Sequence, residues 1–106
     1  MQAKVIYAKW RSMSRDESFN VSMGEVINNP ALYEVIGVYE VDEETHEAVC
    51  ERLFERFNIG DHGGKNVRSM SVGDIVLFPE GQAFLCAGCG WKKLHEAFSD
   101  FPFSKV

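Results

Sequence analysis

The sequence predicts a single α+β domain, an antiparallel or mixed sheet with one main helix packed on it. Three observations carry that expectation. Residues 31–41, ALYEVIGVYEV, alternate as a strand does. Residues 43–57, EETHEAVCERLFERF, place Val49, Leu53 and Phe57 at helical spacing. Residues 65–94 then read as a β unit, with a Ser-Val-Gly-Asp opening, an apolar strand, a Pro-Glu-Gly turn and a returning strand.

Lys4 to Trp10, KVIYAKW, suits a first strand. Residues 11–20 are polar without periodicity and read as a loop. A helical turn is expected within 21–29, capped by Ser22 with Glu25 three residues on, and stopped by Asn28-Asn29-Pro30. In the strand of 31–41, Tyr33, Val35, Gly37, Tyr39 and Val41 share one face by period two, and Gly37 marks a bulge or a close approach. Asp42 is the expected N-cap of the following helix, and Cys50 and Phe54 widen its apolar stripe. Gly60 to Asn66, with three glycines, reads as a flexible connection. It lacks the spacing of a phosphate loop and follows a helix rather than opening one. Ile75 to Phe78 is apolar on both faces, as a central strand should be. Pro79-Glu80-Gly81 turns the chain, Ala83 to Ala87 returns, and a further strand starts at Gly90-Trp91. Phe98, Phe101 and Phe103 in the tail, 97–106, are expected to pack back on the sheet.

The 106 residues make one domain, 1–106, and an apolar fraction of 45% is enough for a core without staples. No linker, repeat or low-complexity stretch divides it. No apolar run approaches the ~18 residues of a membrane span. Met1-Gln2-Ala3-Lys4 has no apolar leader, so a cytoplasmic location is expected. The net charge of −5 argues against non-specific nucleic-acid binding, although Lys92, Lys93 and Arg68, or Lys9, Arg11 and Arg15, could form a local basic patch. Three cysteines, an odd number, do not make a disulfide framework.

The chain resembles the YodL-like proteins, small proteins of plasmids, phages and conjugative elements. The resemblance rests on Tyr33 to Val38 before a helix, on Val49 to Asn58 closing in Phe57-Asn58, and on Arg68-Ser69-Met70-Ser71-Val72-Gly73-Asp74-Ile75-Val76, followed by a hairpin and Gly90-Trp91. It covers roughly residues 32–94. It implies an α+β fold and a mobile-element setting, and it implies no catalytic residue. Cys89 and the Gly-Asp-His-Gly-Gly loop depart from the pattern.

Four groups of residues are candidates for function. Glu44, Glu47, Glu51 and Glu55 form an acidic stripe at helical spacing. That is either a solvated face or a surface competing for a basic site on another protein. Arg68, Ser69, Ser71 and Asp74, with Trp91, either build a turn or face a groove and bind an anion or small ligand. Cys86 and Cys89 form a CxxC that is half a zinc site, with Cys50, His46, His62 or His95 as partners, or else Cys86 is a core residue of its strand and Cys89 sits at a strand junction. A redox reading fits badly, because Gly and Trp follow the pair instead of a helix. Asp61-His62 is a possible acid/base pair in a loop, and His46 is expected at an exposed position. No nucleophile triad is visible. The expectation is a non-enzymatic interaction protein without cofactor, monomeric or homodimeric, that binds a protein partner through the helix face and the loops at 11–20 and 60–66. The alternatives are a zinc-binding module through Cys86 and Cys89, or a small ligand-binding or enzymatic domain with a site near residues 60–74 and Trp91.

Overall fold

The computed structural model describes residues 1–94. Five strands form one antiparallel sheet in the order β2-β1-β3-β4-β5. They are β1 (Gln2–Ala8), β2 (Tyr33–Glu40), β3 (Ile75–Leu77), β4 (Ala83–Ala87) and β5 (Gly90–Lys93). Two helices accompany them, α1 (Arg15–Ser22) and α2 (His46–Asn58). The tail of 97–106 and His95 lie outside the described residues.

The inner strands β1, β3 and β4 are buried on both faces, whereas the edge strands β2 and β5 are largely exposed or half-buried. On one face, Ala3, Val5, Tyr7, Val76 and Phe84 pack against Val49, Cys50, Leu53 and Phe57 of α2. On the other, Ile6, Ala8, Ile75, Leu77 and Leu85 meet Leu32 and the chain of residues 10–32, with Trp10, Met13, Val26 and Ile27. Two-sided burial explains why β3 reads as a continuous apolar run. It also makes β1 an interior strand whose two side-chain sets serve two cores.

β2 departs from its expected alternation. Val5 stands opposite Gly37, but Ile6 stands opposite Val35, so Ile36 is an extra residue in β2. The bulge reverses the parity of the strand. Tyr33 and Val35 belong to the second core, whereas Ile36 and Tyr39 pack on the α2 side. The five residues expected on one face are therefore divided between two. Gly37 borders the bulge, and a Cβ there would stand 3.1 Å from the Tyr39 hydroxyl.

Residues 11–20 are not a loop. A 3-10 turn at Trp10–Ser12 leads into α1, whose N-cap Ser14 accepts from the Glu17 amide while the Glu17 carboxylate accepts from the Ser14 amide. This capping box, Ser-x-x-Glu, fixes the helix start. The turn expected at 21–29 does not start at Ser22. Ser22 is the last residue of α1, and its hydroxyl donates to the Phe19 carbonyl. α2 begins at His46, later than expected, because Thr45 rather than Asp42 accepts from the Ala48 amide as N-cap.

The glycine-rich segment after α2 is packed, not a flexible connection. Asp61 accepts from the Gly63 amide and from Arg56, and the Tyr39 hydroxyl donates to the Gly63 carbonyl at 3.0 Å. Gly63 takes a φ of +64°, and a Cβ on it would collide with Phe57 and Tyr39.

Candidate functional site

The Arg-Ser-Met-Ser-Val-Gly-Asp segment is a clasp at the end of the sheet. β3 stops pairing with β1 at Ile75 opposite Ile6, so the amide and carbonyl of Ala8 have no strand partner on that side. Side chains replace it. The Ala8 amide donates to Asp74 Oδ1 at 2.9 Å, and Arg68 Nη2 donates to the Ala8 carbonyl at 2.9 Å. Arg68 grips Asp74 through both terminal nitrogens, Nη1 to Oδ2 at 2.7 Å and Nη2 to Oδ1 at 2.8 Å. The Ser71 amide completes the carboxylate's shell at 2.8 Å.

Asp74 has 0% of its surface exposed, and it is the one charged residue buried to that degree among the described residues. An ion pair this deep holds only when the remaining lone pairs are satisfied, and here they are. The Arg68 guanidinium lies 4.1 Å from the Tyr7 ring centroid, while the Tyr7 hydroxyl donates to the Arg68 carbonyl. Burial first, and then the Asp74 charge, push the Tyr7 phenol well above its usual range. Gly73 is required for two reasons. Its φ is +98°, and a Cβ would approach Val21 to 2.6 Å and Trp10 to 3.0 Å. Nη1 of Arg68 also donates to the Ser69 carbonyl and, at 3.3 Å, to the Ser71 hydroxyl. Arg68, Ser69, Ser71 and Asp74 are thus one cluster, whereas Trp91 stands on β5, edge-on to Phe54 of α2.

The CxxC is split by its own hairpin. Cys86 pairs with Trp91 in the β4–β5 ladder and is buried, while Cys89 is exposed in the two-residue turn between Ala87 and Gly90. Burial pushes the Cys86 thiol up to about 11. Burial, reinforced by Glu47 and Glu51, pushes the Cys50 thiol up to about 12. Both thiols belong to buried side chains, Cys50 on α2 and Cys86 on β4. Among the described residues no three His, Cys, Asp or Glu side chains converge as metal ligands. His46 is not on the open surface as expected. It is half-buried, stacked 4.2 Å from the Phe78 ring, with Nε2 at 2.8 Å from Glu80 Oε1. The pairing ties the start of α2 to the β3–β4 turn. His62 sits at a φ of +53° beside the Asp61–Arg56 pair, and its Nδ1 is buried without a hydrogen-bond partner among the described residues.

The acidic stripe is real on the helix, except that Glu44 precedes it. Glu47, Glu51 and Glu55 lie one turn apart on the exposed side of α2, and none forms an ion pair among the described residues. The two arginines of α2 are engaged elsewhere, Arg52 with Glu43 at 2.7 Å and Arg56 with Asp61 at 2.7 Å. Phe54, 38% exposed, stands beside the stripe and meets Trp91 with ring centroids 6.4 Å apart. Ile59 continues the exposed apolar surface past the helix end.

No family model matches the chain, and neither the curated proteins nor the solved structures contain a significant match. No helix among the described residues is long and apolar enough to cross a membrane.

Proposed function

We propose that this protein works by binding a basic surface on a protein partner through the outer face of α2, without chemistry of its own. The observation that supports the reading is the unpaired row Glu47, Glu51 and Glu55 beside the exposed Phe54, which meets the half-buried Trp91. Like charges four residues apart destabilise a helix by a few tenths of a kcal/mol per pair, roughly 0.2–0.5. The fold does not neutralise them, although Arg52 and Arg56 are on the same helix. An aromatic pair flanked by charge is the composition of an interface anchor with a steering rim. With the resemblance to YodL-like proteins, the setting is a phage, plasmid or conjugative element. There the basic site would belong to a nucleic-acid-binding protein of the host, and its capture would serve counter-defence.

The test is a nuclear magnetic resonance titration of labelled protein with a panel of Arg- and Lys-rich helical peptides and basic nucleic-acid-binding proteins. Shifts are expected at residues 47–55 and at the Trp91 indole, weakening with salt and lost in the Glu47→Lys/Glu51→Lys/Glu55→Lys variant. Binding that survives the triple reversal, or shifts confined to another face, would refute the proposal.

A further inference from the structure

A second surface carries an independent reading. A groove of about 520 Å³ lies between the end of β1, the 3-10 turn that follows it, β2 and residues 67–68. That volume falls within the roughly 300–1,000 Å³ of small-molecule sites. The protein is acidic, at −5, yet the lining carries Lys9 and Arg11, besides an Arg68 whose charge is matched by Asp74, against one carboxylate, Glu34. Among the described residues neither Lys9 nor Arg11 is in an ion pair, so both ammonium and guanidinium donors are open to a ligand.

Arg68 offers something different. Both of its terminal nitrogens are committed to Asp74 and to the carbonyls of Ala8 and Ser69. Its side chain is nevertheless 38% exposed. What it presents to the groove is a fixed planar cation with few free donors, and such a plane stacks on aromatic rings. Trp10, half-buried, also lines the groove, whereas Tyr7, 4% exposed, already covers one face of that plane and leaves a ligand the other. A flat ring and an anion, held a short distance apart, satisfy both halves of this lining. Glu34, also in the lining, supplies an acceptor for hydroxyl or amino hydrogens.

The geometry points to a mononucleotide-class ligand in this groove, with its base against Arg68 and Trp10 and its phosphate on Lys9 and Arg11. The site shares no residue with the outer face of α2, so it stands or falls apart from the proposed protein contact.

Trp10 and Trp91 are the two tryptophans of the chain, so Trp91→Phe leaves Trp10 as the sole indole reporter. The experiment is a fluorescence titration of that variant with AMP, GMP, CMP and UMP, and with adenosine and inorganic phosphate separately. At least one mononucleotide should quench Trp10 saturably, and about tenfold more tightly than adenosine or phosphate alone. Lys9→Glu/Arg11→Glu should weaken binding by about tenfold or more at unchanged circular dichroism. The proposal is overturned if no mononucleotide gives saturable quenching up to millimolar concentration. It is also overturned if phosphate alone binds as tightly, or if the double reversal leaves affinity unchanged.

Discussion

Replacing Asp74 by asparagine alters one terminal atom of the side chain and removes the counter-charge of Arg68. If the amide oxygen keeps the Oδ1 position, the bonds from the Ala8 amide and from Arg68 Nη2 survive. The Oδ2 position becomes an NH2 facing two donors, the Ser71 amide and Arg68 Nη1, now at 2.8 and 2.7 Å. A stranded amide costs about 1–3 kcal/mol, and breaking a buried pair from one side costs about 3–5. Arg68 is 38% exposed, so water partly solvates its unmatched charge, and the lower end applies, about 3 kcal/mol. For a domain of this size that is a fall of roughly 15 °C in Tm. Urea unfolding followed by circular dichroism measures it, with the slope expected to stay constant. The Arg68→Met/Asp74→Asn variant should lose less than the sum of the single changes, because the two residues are coupled. A loss below about 1 kcal/mol for Asp74→Asn would show that the pair behaves as a surface salt bridge, and would refute the account of the clasp.

Gly63 and Gly64 share a left-handed backbone, at φ +64° and +74°, but only Gly63 is crowded, by Phe57 and Tyr39. Gly64→Ala should cost about 1 kcal/mol and Gly63→Ala about 3, and equal losses in urea unfolding would contradict the packed description of the loop. A thiol reagent at neutral pH should modify Cys89 rapidly and reach Cys50 and Cys86 only on unfolding. Their thiols are raised from 9.0 to about 12 and about 11, so the stability they contribute is complete below pH 9 and lost as pH rises through those values. Cys86→Val should flatten part of the alkaline fall in the unfolding midpoint. Hydrogen bonding from Arg56 holds the Asp61 carboxyl below its ordinary 3.8, so the contribution of this clamp is present above 3.8 and disappears as pH falls through the lowered value. Acid titration by nuclear magnetic resonance should show the Gly63 amide moving together with the Asp61 carboxyl, and independent titration would disconnect the two.

The parts of the fold that were legible in the sequence are those written as a period. Val49, Leu53 and Phe57 announce α2, and the apolar run of β3 announces a strand covered on both sides. α1 was hidden because its exposed face carries Phe19, which blurs any amphipathic pattern, although Ser14-x-x-Glu17 was a usable signal. The N-cap was misplaced because Asp42 and Thr45 are both good caps, and only the path of the chain into α2 selects between them. The parity change in β2 depends on one extra residue, which periodicity alone does not detect. The clasp was half legible. The spacing of Arg68 and Asp74 was visible, but their common target, the backbone of Ala8, lies some sixty residues away in the chain. The groove has the same character, since Lys9, Arg11 and Arg68 converge only after β1 and the segment before β3 are brought together.

The strand order has a consequence for how the chain is made. β1 leaves the ribosome before the other four strands yet ends inside the sheet, paired on one side with β2 and on the other with β3. Ile6 must wait for Ile75. Until then the nascent chain can form β1, α1, β2 and α2, but one margin of β1 stays open, with unpaired amides and an apolar face on each side. Such a margin invites intermolecular pairing. It also defines a natural cleavage of the molecule into two fragments that meet along β1 and β3. A piece ending near Asn66 and a piece beginning at Val67 should reassemble when mixed, with the Arg68–Asp74 clasp locking the seam.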